Sequence, residues 1–183
     1  MAANKGTILV VDDEPESLAL LASILTEEGY QVRPADSGKI ALASVAAYPP
    51  DLILIDMRMP GIDGLEFCRR LKAQEHRRDI PLMFISAASD SQERVEGLAL
   101  GAVDFIFKPF FRDELLARVR THLELGRLRF QLEAQVASRT LEFQRAIQLL
   151  QKEVTQRQRT EDSLREEMGE RQDRKSTRLN SSH

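Results

Sequence analysis

The run Leu52-Ile-Leu-Ile-Asp56, followed by Met-Arg-Met-Pro60-Gly-Ile-Asp-Gly64, constrains this chain more than any other stretch. Four branched aliphatics in a row, closed by a Pro/Gly-rich loop, read as a strand buried on both faces, as strands are inside a parallel sheet. Sheets of that kind place their ligands at the carboxyl ends of the strands. Asp56 stands at such an end and is the candidate reacting group. On this stretch alone a loop-capping aspartate explains it equally well, so the rest of the chain has to separate the two.

The same pattern recurs along the sequence. Thr7 to Val11 is an apolar strand running into Asp12-Asp13-Glu14-Pro15, where proline suits a first helical turn and the acids suit its positive end. Leu18, Leu21, Ala22 and Leu25 follow at helical spacing until Gly29. Gln31 to Ala35 is a weaker strand. Ser37 is expected to cap a helix whose apolar side holds Ile40, Ala41, Val45 and Ala47. After Asp56, a helix starting at Asp63 or Gly64 carries Leu65, Cys68 and Leu71. Pro81 to Ile85 is the fourth strand and delivers Ser86. A helix from about Ser91 to Leu100 is expected to bury Val95, Leu98 and Ala99. Asp104 to Phe107 then hands over Lys108 and Pro109, and a last helix opens near Arg112. Five strands alternating with five helices predict an α/β fold, a doubly wound parallel sheet.

Length and charge narrow the function classes. The 183 residues suffice for one cored domain and an extension. A net charge of −3, with no basic patch interleaved with aromatics, argues against nucleic acid and against an anionic membrane surface. No apolar segment approaches the roughly 20 residues that span a bilayer, and the short N-terminus lacks a signal-peptide pattern. A single cysteine, Cys68, fits a reducing cytoplasm and reads as core filler.

Right-handed crossovers bring every strand's carboxyl end to one edge, so Asp12, Asp13, Asp56, Ser86 and Lys108 converge there. Clustered carboxylates repel, so either one takes a proton or a cation sits between them. All-oxygen donors suit Mg²⁺. Lys108 offers a point charge for a phosphoryl oxygen, and the Ser86 hydroxyl can bond a second. The set is suited to moving phosphate onto a carboxylate, with Asp56 as nucleophile.

Four motifs, Val11-Asp12-Asp13-Glu14, Asp56-Met-Arg-Met-Pro60-Gly61, Ile85-Ser86-Ala87 and Phe105-Ile-Phe-Lys108-Pro109-Phe110, resemble the receiver domains of two-component response regulators. The match covers roughly Lys5 to Leu123. The resemblance implies the flavodoxin-like strand order 2-1-3-4-5. It implies that Asp56 accepts phosphate from a histidine kinase or phosphotransfer protein. Asp13 would ligate Mg²⁺ directly and Asp12 mostly through water, with the Arg58 backbone carbonyl completing the protein ligands. Ser86 would move towards the phosphoryl group, Lys108 would bridge it to the acids, Phe105 would change rotamer, and the Lys108–Pro109 bond would be cis. On residues alone, Phe105 and Phe107 are equally core aromatics; the offset from Lys108 favours Phe105. His76 reads as a solvated loop residue and His122 as an ordinary surface one. Arg58 and Ala88 occupy the two positions that tune water attack in this family, and neither orients water, so slow self-dephosphorylation is expected.

From Leu115 to Met168 the last helix has no breaker except Gly126, a potential hinge. Leu125, Leu128, Leu132, Val136, Phe143, Ile147, Leu150, Val154, Leu164 and Met168 alternate steps of three and four, a coiled-coil seam with a stutter around Leu132 to Thr140. Arg157 and Glu161 fall on that seam and weaken its last third. Residues 124–172 therefore read as a helical linker, resembling those between receivers and sensory, kinase or cyclase domains, and as a homodimer contact. At roughly 1.5 Å per residue, Leu125 to Gln172 would reach about 70 Å. Asp173 to His183 has neither heptad nor helical bias; it resembles a translated adapter oligonucleotide and is expected to be a disordered, non-native tail replacing an output domain.

The leading expectation is a cytoplasmic phosphoacceptor module that catalyses only its own phosphorylation and dephosphorylation. The alternatives are a receiver fragment of a hybrid histidine kinase or cyclase, and a phosphohydrolase of the haloacid-dehalogenase type. The latter expects an aspartate two residues after the nucleophile, where Arg58 stands.

Overall fold

The computed structural model describes residues 5–87 and 91–180. It divides into two units, Met1–Phe130 and Gln131–His183. In the first, strands β1 (Thr7–Val11), β2 (Gln31–Ala35), β3 (Leu52–Asp56), β4 (Leu82–Ala87) and β5 (Asp104–Lys108) alternate with helices α1 (Pro15–Glu27), α2 (Gly38–Ala47), α3 (Gly64–Lys72), α4 (Ser91–Ala99) and the first turns of α5 (Arg112–Asn180), whose remainder makes up the second. All strand pairs are parallel and the order is β2-β1-β3-β4-β5. This is the flavodoxin-like arrangement, with helices on both faces.

Alternation along each strand sends neighbouring side chains into different cores. Leu9, Val11, Ile53, Ile55, Phe84 and Phe105 join Val45, Phe67, Cys68 and Leu71 in one. Ile8, Val10, Leu52, Leu54, Ile85 and Ile106 join Leu21, Leu25, Leu115, Val119 and Leu123 in the other. Because β1 and β3 are covered on both faces, Ile8–Val11 and Leu52–Ile55 are uniformly apolar and buried, and the next side chains are the carboxylates of Asp12 and Asp56. Burial pushes the Cys68 thiol up, as expected of core filler.

Two helix faces differ from expectation. In α2, Gly38, Ala41 and Val45 are buried while Ile40 is half exposed and Ala47 faces solvent; Leu42 supplies the missing apolar contact. In α4, Val95 and Leu98 are 66% and 49% exposed, and Ala99 is exposed too. Gly97 is the residue turned inward: a Cβ there would stand 2.8 Å from the rings of both Phe84 and Phe105. The bulk filling that interface belongs to the sheet, so the helix has to contribute nothing.

Helix ends follow local chemistry. Pro15 opens α1, and the Asp63 carboxylate caps α3 by accepting from the Glu66 N–H at 2.8 Å. Ser37 precedes α2 without capping it; its hydroxyl donates to Asp36 Oδ1 instead. The first unit reaches past Leu123 because the next turn of α5 is tied to the base of the sheet. Arg127 donates to the Lys5 carbonyl, and Arg129 pairs with Asp79 at 2.6 Å.

The second unit is helical through Asn180, so the disorder expected from Asp173 does not hold for 173–180. A helix already under way adds one hydrogen bond per residue without a new nucleus, and Arg174 pairs with Glu170 at 2.9 Å. Ser181–His183 lie outside the described residues, as does Ala88. Leu132, Val136, Phe143, Ile147, Leu150, Val154, Leu164 and Met168 are between 53% and 69% exposed.

Candidate functional site

β1 stops at Val11 and β3 at Asp56, in adjacent positions of the sheet with Val11 paired to Ile55. That register brings Asp12 and Asp13 beside Asp56. One carboxylate oxygen from each lies within 4.8 Å of the others. From two strands away, Lys108 at the end of β5 reaches back, and its Nζ donates to Asp56 Oδ2 at 2.8 Å and Asp12 Oδ2 at 2.9 Å. The Lys108–Pro109 peptide is cis.

The three acids differ in environment. Asp12 is fully buried and accepts three hydrogen bonds: Oδ1 from the Glu14 N–H at 2.9 Å, and Oδ2 from the Ser17 hydroxyl at 2.6 Å and from Lys108. Asp13 is exposed and Asp56 is half-buried. The Arg58 N–H donates to Asp56 Oδ1 at 3.1 Å, so both Asp56 oxygens are oriented. Partial burial pushes the Lys108 ammonium down, but its bonds and charges with Asp56 and Asp12 outweigh this and hold it above the usual lysine range. It therefore stays charged and offsets part of the carboxylates' mutual repulsion.

The loop after Asp56 is shaped by a close approach. A Cβ at Gly64 would meet the Asp56 carbonyl oxygen at 2.6 Å and Met57 Cα at 2.9 Å. Only glycine lets α3 start directly over the end of β3. Ser86, buried at the end of β4, turns its hydroxyl to the Ala87 carbonyl at 3.1 Å. Phe105 is buried with its ring 5.2 Å from that of Phe84, and Phe107 lies under Arg94 at 5.9 Å.

These donors fit a hard divalent cation: three carboxylates within mutual reach, one of them solvent-facing and able to leave coordination positions to water. Bound there, Mg²⁺ would neutralise phosphoryl oxygens as they approach Asp56.

The response regulator receiver domain model matches residues 8–120. The chain belongs to the response regulator receiver family. This receiver is 46% identical over 114 residues to response regulator PleD of Caulobacter vibrioides, covering 62% of the chain and 25% of PleD. It is 41% identical over 118 residues to a Vibrio cholerae serotype O1 protein named "Probable cyclic di-GMP phosphodiesterase", covering 64% of the chain and 26% of that protein. Among solved structures it resembles the signal receiver domain of a signal transduction histidine kinase from Syntrophus aciditrophicus, with TM-score 0.61, 39% identity, and 65% and 90% of the two chains covered. The receiver thus spans about a quarter of the length of these two curated relatives.

Three partners of this receiver were not legible in sequence. Glu93 on α4 pairs with Arg58 at 3.2 Å. Asp104 is held by Arg118 at 2.7 Å and His122 at 3.1 Å. His122 is accordingly no ordinary surface residue, with its side chain only 16% exposed. His76 is exposed in a turn, as expected. Among the described residues no helix is long and apolar enough to cross a membrane.

Proposed function

We propose that this receiver takes a phosphoryl group onto Asp56 from a phosphohistidine donor in the cytoplasm and passes the resulting state through α5 to an output domain. In the transfer, an Asp56 carboxylate oxygen forms the new bond to phosphorus, and the donor's bond to phosphorus breaks with its electron pair leaving on the donor. Asp13, Asp56 and the Arg58 carbonyl would hold Mg²⁺, with Asp12 acting through water. That division is supported by the difference between a buried Asp12 that already accepts three hydrogen bonds and an exposed Asp13. Lys108 would hand one of its bonds from Asp56 to the incoming phosphoryl oxygen. Ser86 would turn from the Ala87 carbonyl to a second oxygen, and Phe105 would move into the room this vacates.

The observation that carries this reading is Lys108 bridging two carboxylates from different strands at 2.8 and 2.9 Å. A loop-capping aspartate needs no such partner. Arg58, where a haloacid-dehalogenase-type phosphohydrolase needs a second aspartate, weighs against that enzyme class. The chemistry proposed is confined to the domain's own phosphorylation and dephosphorylation, the latter slow. We further propose that residues 5–123 form the receiver, that 124–172 pair with a second copy along the seam, and that 173–183 are non-native. Pairing is supported by the exposed apolar stripe of α5. A kinase, a cyclase and a transcription factor are all compatible outputs, since these residues carry no output-domain motif and no nucleic-acid-reading one.

Acetyl phosphate with Mg²⁺ tests the assignment. The wild-type chain should gain the mass of one phosphoryl group, and Asp56→Asn should gain none. Equal gain in both, or steady turnover of small phosphate esters, contradicts it.

A further inference from the structure

Two charged residues interrupt the apolar stripe of α5. Phe143, Ile147, Leu150, Val154, Leu164 and Met168 follow the three-and-four spacing of one heptad frame, and Arg157 and Glu161 fill the two places between Val154 and Leu164. With Ile147, Val154 and Met168 at the first core position of the repeat (a), Glu161 is also at a. Arg157 stands at the second core position (d), with Phe143, Leu150 and Leu164. The apolar members are between 53% and 69% exposed. The Arg157 side chain is 77% exposed and donates to Glu153 Oε1 at 3.1 Å, one turn back on the same chain. A guanidinium carries several N–H donors in a fixed fork, so this bond leaves Arg157 able to serve a second carboxylate.

Where the charges land limits how two copies can cover this stripe. A charge shut against apolar side chains loses its hydration and gains no partner. In an antiparallel pair overlapping across residues 143–168, Arg157 falls opposite Val154 of the other copy, and Glu161 opposite Leu150. Sliding that pair until Arg157 meets Glu161 sets Ile147 opposite Arg171 instead. In a parallel pair in register, every apolar layer meets its own copy. A side chain at d then enters a hole of the facing helix that includes the a residue one turn on, so each Arg157 lies against the second copy's Glu161.

We propose that Arg157 and Glu161 form two ion pairs between copies of this chain, and that these pairs fix the α5 coil as parallel and in register. This rests on α5 pairing with a second copy. Charged residues in a coiled-coil seam cost stability, and they exclude the arrangements that leave them unmatched. The apolar layers on either side supply the attraction, and the two charged layers choose among the ways of satisfying it.

The test is sedimentation equilibrium of the full chain, with circular dichroism to establish that each variant folds. Arg157→Glu and Glu161→Arg should each weaken self-association at least about tenfold, because only like charges then meet across the seam. An equimolar mixture of the two should associate about as tightly as wild type. Opposite charges face each other again between chains, while the repulsion each substitution creates inside its own chain remains. Arg159→Glu mixed with Glu166→Arg makes the same charge changes on the outer face of the repeat and should gain nothing over either variant alone. Orientation is read separately. After mild oxidation Leu164→Cys should give a disulfide-linked dimer, since a parallel pair in register brings position 164 against itself, and the wild-type chain, whose Cys68 is buried, should not. Seam variants that associate like wild type, a seam mixture no tighter than its components, an equal gain in the outer-face mixture, or a Leu164→Cys chain that does not cross-link overturns the inference. A wild-type chain that stays monomeric overturns the pairing on which it rests.

Discussion

Asp104 shows how much one carboxylate at a strand start can carry. Burial pushes its carboxyl up, but the Phe105 N–H, Arg118 and His122 together hold it below the usual aspartate range. A carboxyl depressed on folding stabilises the fold above its unfolded pKa, and that contribution is lost as pH falls through the folded value. Asp104→Asn should therefore cost about 1–2 kcal/mol near neutrality. The gap from wild type should close as pH drops below about 4, read by urea unfolding at several pH values. Gly64 makes a second residue-scale case. The atoms its missing Cβ would strike are backbone, at 2.6 and 2.9 Å, and backbone cannot swing aside. Gly64→Ala is expected to destabilise by about 1–3 kcal/mol and to slow Asp56 phosphorylation, since the displaced atoms belong to the loop that positions it. At this scale the acid cluster was legible because the buried apolar runs Ile8–Val11 and Leu52–Ile55 each end directly on a carboxylate. The Arg58–Glu93 and Asp104–Arg118–His122 contacts were not, because long side chains from separate elements leave no periodic trace.

At the scale of elements, the sheet order followed from five apolar runs and the resemblance of their terminal motifs, and the helices divided by what they bury. Helix α3 packs through Phe67, Cys68 and Leu71; Cys68 and Leu71 stood at the apolar spacing read from the sequence, Leu65 beside them is only partly buried, and Phe67 was not read. Helix α4 packs through Gly97 against aromatic rings of the sheet, so its hydrophobic residues marked the outward face. Helix α5 poses a different question at Gly126, a potential hinge through which the helix runs on, as the sequence reading has it. The nearest atom to a Cβ there is Pro81 Cγ at 3.9 Å, an ordinary contact. Gly126→Ala should thus stabilise the helix by about 1 kcal/mol and slow amide exchange between Leu123 and Phe130. Arg127→Ala with Arg129→Ala, which frees the Lys5 carbonyl and Asp79 from α5, should speed exchange in the same turns. Equal exchange in all three proteins would mean that these contacts do not order the start of the linker.

For the molecule as a whole, the question is how a charge placed on one side chain is felt along a helix. We propose that the exposed apolar stripe from Leu132 to Met168 pairs with a second copy of the chain. Ile147→Lys should lower the mass measured by sedimentation equilibrium to that of one chain while leaving thermal unfolding of the receiver unchanged. A wild-type chain that is monomeric at high micromolar concentration would count against pairing. The central claim is simpler, that acids from two strands and a lysine from a third make Asp56 a metal-assisted phosphoacceptor. Peptide mapping of the chain after acetyl phosphate treatment, with and without Mg²⁺, tests it most directly. The account predicts one phosphoryl group, found on the peptide containing Asp56 and lost when Mg²⁺ is withheld; phosphate on any other peptide, or an unchanged yield without the metal, would contradict it.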